Sequence, residues 1–460
     1  MQRLLCSLTF VGTALLGSAA SAQTFAVDAR MIGMGGAGDD PSIASGMVPS
    51  GSGYHVIPLP LSLIQLFRDL DQFNPASDQF NPVRAVESAA SPFHLRAGRG
   101  SGVERPEYRL VSDLVNGRVS RDLSTYRGFT LPTTTAVEGL ASGAFGKTFR
   151  FAKQPTGAFQ GVYVGAGPYL ALGTSLDVDP RLSDVFSSSA PRYFPDTAFD
   201  IHQEAAVQLA MSTIIGYRAR LALPGAAPPA SAPPTGAGPE RPSRDGIYVA
   251  ANYRHLTGFR YLEPTTTIRL DTDARGLVAT SSSAPPLVVE TLQATSGSGR
   301  AVDLGVQVVR GPVEVGVGVN GLGNRIRWTG LSRTRYALSS LTDDVELTEE
   351  DLPMPGTDVT VTLPVVTSAN MRVNAGAWSL SAMGMQGYNG ATVRGGVERR
   401  IGFLALRGGA QYQRGNWNPT YGFGIGRRVA LDVAFFGTRA NLQRARETAV
   451  AVSMRITPAR

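Results

Sequence analysis

Four stretches carry residue types that could do chemistry. Residues 33–38 read Gly-Met-Gly-Gly-Ala-Gly and fit G-x-G-x-x-G. A dinucleotide site needs that pattern between a strand and a helix, so that glycine amides and the helix N-terminus hold the pyrophosphate. Asp39, Asp40 and Pro41 follow instead and propagate a helix poorly. Residues 316–321, Gly-Val-Gly-Val-Asn-Gly, match the same pattern inside an evident strand, so the match is cheap. Residues 141–148, Ala-Ser-Gly-Ala-Phe-Gly-Lys-Thr, imitate a phosphate loop with alanine for its first glycine. That loop requires a helix at the Lys-Thr step, and Phe149-Arg150-Phe151 alternates like a strand there. Residues 341–352 hold Asp343, Asp344, Glu346, Glu349, Glu350 and Asp351, oxygen ligands that suit Ca²⁺. They lack the spaced pattern with its turn glycine and read as a solvated acidic loop. His55, His94, His202 and His255 have no metal spacing, and neither H-E-x-x-H nor G-x-S-x-G occurs. The expectation is therefore no catalytic residue, no cofactor and no metal.

The elements that would position any site are strands. In residues 301–320, Val302, Leu304, Val306 and Val308 alternate with Asp303, Gly305 and Gln307. After Arg310-Gly311-Pro312, Val313, Val315, Val317 and Val319 alternate with Glu314, Gly316, Gly318 and Asn320. Two period-two arms about a tight turn make an antiparallel hairpin with one apolar and one small or polar face. From 367 to 456 the chain is almost continuous hairpins. Residues 204–221 suit either a strand or a segment that begins as a helix. Residues 108–125 read as a first strand pair turning at Asn116-Gly117.

Pattern alone leaves two readings of the apolar face: the core of a secreted, soluble β-sandwich, or the lipid side of a barrel. The glycine stripe Gly422, Gly424 and Gly426 favours the barrel, because small residues make room on a crowded inner face and only weaken an exposed one. Arg394, Arg407 and Arg455 would share that inner face. A charge at the lipid midplane costs about 2–4 kcal/mol, so these arginines are lumen-facing candidates. Trp378, Tyr412, Trp417 and Tyr421 are expected at strand ends, as interfacial girdles. Roughly fourteen strands, between about 12 and 16, are countable.

Composition agrees. The chain has 460 residues, 53 of them glycine, and a net charge of +7 with pI near 9.7. Lysine occurs only at Lys147 and Lys153, and the arginines are scattered rather than clustered, which argues against nucleic acid. Residues 1–22 read as a secretory signal peptide, with Met1-Gln2-Arg3, an apolar run and Ala20-Ser21-Ala22. The single cysteine, Cys6, lies inside it, which leaves the mature chain without thiol or disulfide. No other stretch approaches a membrane helix.

Ala29-Arg30 and Gly33-Met34-Gly35-Gly36-Ala37, just behind the leader, resemble the N-terminus of the FadL-like outer-membrane barrels, a group that includes long-chain fatty-acid transporters and TraF-like and PorV-like proteins. The resemblance covers some ten residues strongly and the rest by strand style. Asn74-Pro75-Ala76 matches an element of many members, but lies later than their pattern has it. The resemblance implies that this segment starts inside the barrel near its periplasmic end, as part of a plug.

The reading is an all-β, transmembrane antiparallel β-barrel in the cell outer membrane. Residues 23–105 are an N-terminal plug, and 106–456 are the barrel with a Pro-rich loop at 224–244 and the acidic loop at 341–352. Residues 457–460 are a tail. Plug and channel candidates are Met31, Gly33, Met34, Gly35, Gly36 and the apolar face Leu63, Leu66 and Phe67. The expected partners are outer-membrane lipid and a small hydrophobic molecule passing through a passive channel. The alternative is a structural or secretion barrel that binds a protein through its long loops.

Overall fold

The computed structural model describes residues 28–38, 42–48, 55–59, 61, 94–97, 106, 109–110, 113, 119–129, 134–153, 158–223, 244–279, 284–339, 347–354, 356–388, 390–413, 415–438 and 447–456. Among them the fold is all-β, with twenty strand segments in one antiparallel sheet. From the N-terminal region come β1 (His55–Pro58) and β2 (His94–Ala97). Next, β3 (Thr134–Ser142) and β4 (Phe145–Lys153) lie end to end along β5 (Phe159–Val178). Then come β6 (Ala198–Leu221) and β7 (Gly246–Asp271). β8 (Leu287–Ala294) and β9 (Ser296–Arg310) share one line along β7.

β10 (Val313–Thr329) and β11 (Ser332–Leu338) form the next line, paired to β9 and β8. β12 (Leu347–Leu352), β13 (Asp358–Thr362) and β14 (Val366–Ala375) form the one after. Simple hairpins follow through β15 (Trp378–Gly387), β16 (Gly390–Ile401), β17 (Leu404–Gln413), β18 (Asn416–Gly426), β19 (Val429–Thr438) and β20 (Glu447–Ile456). β1 and β2 both pair along the far edge of β20. The twenty segments thus reduce to fourteen rows, as the alternation predicts. The first and last rows run in opposite directions, the polarity an antiparallel closure needs. Among the described residues no ladder joins them.

The sheet has inverted polarity. On β9, Leu304, Val306 and Val308 are exposed while Asp303 and Gln307 are buried. On β10, Val313, Val315 and Val317 are exposed and Glu314 is buried. The same holds for exposed Leu406 beside buried Arg407, and for exposed Leu431 beside buried Asp432. Apolar side chains outside and charges inside is the layout of a barrel wall in lipid. The band has an edge. Outward positions of β10 are apolar from Val313 to Leu322, then become Arg325 and Arg327. A transmembrane strand needs about 9–11 residues, which this stretch supplies. On β6 the outward residues change from Leu221, Ile215 and Met211 to Glu204, His202 and Asp200.

Beyond that edge, polarity reverts to that of a water-soluble protein. Leu176, Phe199, Leu270 and Val289 turn inward and pack with α1 (Pro180–Ser187) and with Leu123, Tyr126 and Phe129. Asp179 caps this helix by accepting the Arg181 N–H at 2.8 Å, and Pro180 starts it. Phe186 stacks on Phe129 at 4.9 Å. Burial raises the Tyr126 phenol above its ordinary range. Its oxygen accepts the Ser120 N–H at 2.8 Å and donates to Asp113 at 2.7 Å.

Several expectations are corrected. Residues 347–352 of the acidic loop form β12, because Glu349, Glu350 and Asp351 face Tyr336, Arg335 and Thr334 of β11 and gain cross-strand partners. The strand pair expected at 108–125 is not formed by its described residues. Arg109, Leu110 and Asp113 are helical, and Leu123–Tyr126 is a 3₁₀ turn capped by Asp122. Trp378, Tyr412 and Trp417 lie at strand ends, whereas Tyr421 is at the middle of β18, paired to Gly408 and Phe435. Residues 204–221 are strand throughout. The leader, the tail and residues 224–243 of the Pro-rich loop lie outside the described residues.

Val315→Arg places a charge on the lipid face at a cost of about 2–4 kcal/mol. Gly316→Ala presses a methyl against the ends of the flexible, hydrogen-bonded Gln307 and Asn370 side chains, which can shift. In urea titrations of folding into lipid vesicles, read by heat-modifiable gel mobility, the first variant loses most of its folded fraction and the second little. Equal folded yields would contradict the outward assignment.

Candidate functional site on the inner face

The N-terminal segment lies on the buried polar face. Its single-turn helix (Ala29–Gly33) starts where Asp28 accepts the Arg30 N–H at 2.9 Å. The Ala29 N–H donates to Ser453 Oγ at 3.1 Å, and Ala29 and Ile32 pack on Ala434, Ala451 and Phe436. Gly35 and Gly36 then take φ of +71° and +74°, which end the helix and which side chains other than glycine adopt poorly.

This turn approaches the wall through glycine on both sides. A Cβ on Gly33 would stand 3.2 Å from Gly422 Cα, and one on Gly35 would stand 2.7 Å from the carbonyls of Gly395 and Ala410. From the wall, a Cβ on Gly409 would stand 2.5 Å from the Gly35 nitrogen, and one on Gly396 would overlap the Met34 carbonyl. Thr420 Oγ1 accepts the Gly35 N–H at 2.9 Å and donates to the Gly33 carbonyl at 3.2 Å. Met34 is buried, and the Met31 sulfur fills the place a side chain on Gly38 would take.

A chain of buried ion pairs runs beneath it. Arg30 donates through Nε and Nη2 to Glu398 at 2.8 and 3.0 Å. Arg407 Nε reaches the same carboxylate at 2.7 Å, and Arg407 Nη2 reaches Asp432 at 2.7 Å. Arg455 Nε closes on Asp432 at 3.0 Å. Alternating signs on β16, β17, β19 and β20 offset one another, and the helix contributes the terminal cation. Such a network adds little net stability, but loss of one member leaves an uncompensated buried charge at about 3–5 kcal/mol.

The segment then crosses to the other wall. Ser42 sits where Cβ atoms on Gly305 and Gly318 would be, and its hydroxyl donates to the Val317 carbonyl at 3.4 Å. One stretch thus touches rows four or more apart, at β17–β20 and at β9–β10. Ile43 of this crossing lines a cavity of about 660 Å³ whose other walls include Leu140 on β3, Tyr169 on β5, Met385 on β15 and Gln413 on β17. Strands from early and late rows share this space, so the sheet curls around it. Among the described residues its only charged lining groups are Arg254 and Asp303, which pair with each other through Arg254 Nε. Asp303 also accepts the Gly321 N–H at 3.0 Å. Tyr169 and Asn324 hydrogen-bond at 2.6–2.9 Å between phenol and amide.

Of the sequence-derived candidates, Met31, Gly33, Met34, Gly35 and Gly36 come together in the turn just described. Arg394, Arg407 and Arg455 are 2%, 6% and 7% exposed on the same polar face, with Arg394 Nη1 donating to the Gly36 carbonyl at 3.5 Å. Leu63, Leu66 and Phe67 lie outside the described residues. Sequence reasoning missed Arg30, Glu398 and Asp432, and the cavity groups Tyr169, Arg254, Asp303 and Asn324. A parity signal was available for Asp432, between apolar Leu431 and Val433, and for Asp303, between Val302 and Leu304, whereas Glu398 sits beside the exposed Arg399 and Arg254 beside His255. Among the described residues no cluster of His, Cys, Asp and Glu suits a metal.

No family model and no curated protein matches the chain. Solved structures with a similar course include the toluene transporter TbuX of Ralstonia pickettii (10% identity, 71% of this chain and 89% of that chain, TM-score 0.28). The toluene transporter TodX of Pseudomonas putida is similar at 9% identity over 70% of this chain and 87% of that chain, TM-score 0.28. A mutant porin of Rhodopseudomonas blastica is similar at 8% identity over 70% and 99%, TM-score 0.23. At these scores the likeness carries no weight, and the assignment of the fold rests on the strand register and the polarity of its two faces.

Gly409→Val drives a side chain into the Met34–Gly35 backbone, whereas Gly408→Val meets open space on the outer face. Trypsin cleavage after Arg30, followed by mass spectrometry on the folded protein, is expected to rise at least about tenfold in the first variant and to stay at the wild-type rate in the second. Equal protection in both would show that the glycine contact does not hold the segment.

Proposed function

We propose that this chain is an outer-membrane barrel that passes small hydrophobic compounds without covalent chemistry, with residues 28–48 as the inner part of a plug. The observation that carries the reading is the cavity against Ile43. It has a volume of about 660 Å³, within the ~300–1,000 Å³ typical of small-molecule sites. Apolar side chains such as Leu140, Val366 and Met385 stand on its walls beside a few paired polar groups. An outward apolar band and a polar inside suit a wall that meets outer-membrane lipid. The secretory leader read from residues 1–22 suits export to that membrane.

Passage past the plug has two routes. Either residues 28–48 shift, which breaks the Arg30–Glu398 pair, or the compound leaves sideways between β4 and the β1/β2 row. Phe145, Phe149 and Phe151 on β4 are exposed and give that side an apolar lining. The lumen-facing arginines Arg394, Arg407 and Arg455 act in this reading as supports for the plug rather than as substrate ligands.

The test uses diderm cells whose outer leaflet is lipopolysaccharide, which excludes hydrophobic probes. Expression of the chain is expected to speed uptake of N-phenyl-1-naphthylamine several-fold over an empty vector. Periplasmic hydrolysis of the hydrophilic nitrocefin is expected to stay at its basal rate. Unchanged naphthylamine uptake by a folded, surface-inserted barrel would end the channel reading, and faster nitrocefin hydrolysis would replace it with an open pore.

A further inference from the structure

The geometry points to a neutral oxygen-bearing hydrophobe, such as a phenol, an alcohol or a ketone, as the compound held in the cavity beside Ile43. This rests on the channel reading above and narrows its substrate class. The argument begins with charge. Among the described residues Arg254 and Asp303 are the only charged ones on the lining, and they pair with each other. A carboxylate entering this space would leave water and find the lining cation, Arg254, already paired with Asp303, so much of its desolvation would go unrepaid. A cation would meet Asp303 already engaged by Arg254 and by the Gly321 N–H.

The second step is hydrogen bonding. Arg254 carries five N–H donors, of which Nε serves Asp303, while Nη1 makes no hydrogen bond to the described residues. Tyr169 and Asn324 satisfy each other but keep lone pairs in reserve. The site therefore holds spare donors at a neutral locus within mostly apolar walls. A single neutral oxygen matches that inventory. It can accept from the guanidinium, and a hydroxyl can also donate to an acceptor nearby. A pure hydrocarbon fills the walls but leaves the donors unused, and a site built to bond an oxygen discriminates against the analogue that lacks it.

Naphthalene, 2-naphthol and 2-naphthoate share one ring system and differ only in this group. Their binding to the full chain in nanodiscs is measured by equilibrium dialysis against empty nanodiscs, at about pH 7, where a phenolic hydroxyl is neutral. The expected order places 2-naphthol about tenfold tighter than either of the others. The double variant Arg254→Met with Asp303→Asn removes the donors and the charge together, keeps an acceptor for Gly321, and leaves no lone buried ion. It is expected to bring 2-naphthol within about twofold of naphthalene. Tightest binding of 2-naphthoate, or equal binding of naphthalene and 2-naphthol by the wild type, overturns the proposal whether or not the variant folds. If none of the three binds while naphthylamine uptake persists, the substrate class is wrong and the channel stands. Loss of both ends the channel reading as well.

Discussion

Once the apolar side of the strands faces out along the apolar band, the inside of that band must hold its polar groups at close quarters. That constraint shapes everything on the inner face. Glu398 and Asp432 are almost wholly buried, at 1% and 0% exposure, and neither could stay ionised alone. Arg30, Arg407 and Arg455 surround them, so the arginines that bias the composition are answers to local charge. The scattered cations that give the chain its pI near 9.7 are in this respect unlike a nucleic-acid footprint.

Glycine solves the second half of the same problem. An N-terminal segment inside a barrel must approach strand backbones more closely than side chains permit. The turn at Gly33, Gly35 and Gly36 meets Gly395, Gly396, Gly409 and Gly422, and the crossing at Ser42 meets Gly305 and Gly318. At Gly33 against Gly422 and at Gly35 against Gly409 both partners lack a Cβ at the same point. In a strand such glycines cost stability and have no value unless something lies against them. Charge and shape are therefore coupled: the glycines set the distance at which Arg30 reaches Glu398.

Much of the fold was legible because period-two alternation is a local property. The hairpins from 367 to 456 and the arms of 301–320 read directly, and the row count follows from them. Breaks within a row, such as Gly143-Ala144 between β3 and β4, did not disturb that count, since both pieces keep one neighbour. What was not legible depends on distant partners. The acidic run at 347–352 has no strand character until β11 supplies arginines and a tyrosine opposite it. The packing beyond the apolar band needs residues near 120, 185 and 270 together. Arg394, Arg407 and Arg455 could be placed on a face by parity, but their carboxylate partners lie on other rows, and no spacing in the chain announces them.

The cavity shows the limit of parity most clearly. Arg254 and Asp303 each read as one more polar residue on an inward position, between Tyr253 and His255 for the first and between Val302 and Leu304 for the second. Register makes them a pair: Arg254 lies opposite Ala301 and Asn252 opposite Asp303, so the arginine reaches diagonally across β7 and β9 to the carboxylate. The bulged course of β10 near Gly321 then delivers a backbone N–H to the same aspartate. Three separate features must coincide for the charge there to vanish. A lumen that merely needed to be polar had no use for that coincidence, since any threonine or asparagine would have served. At this locus the lining charge is paired while donors remain, and in that this part of the inner face differs from the chain of arginines and carboxylates that holds the N-terminal turn.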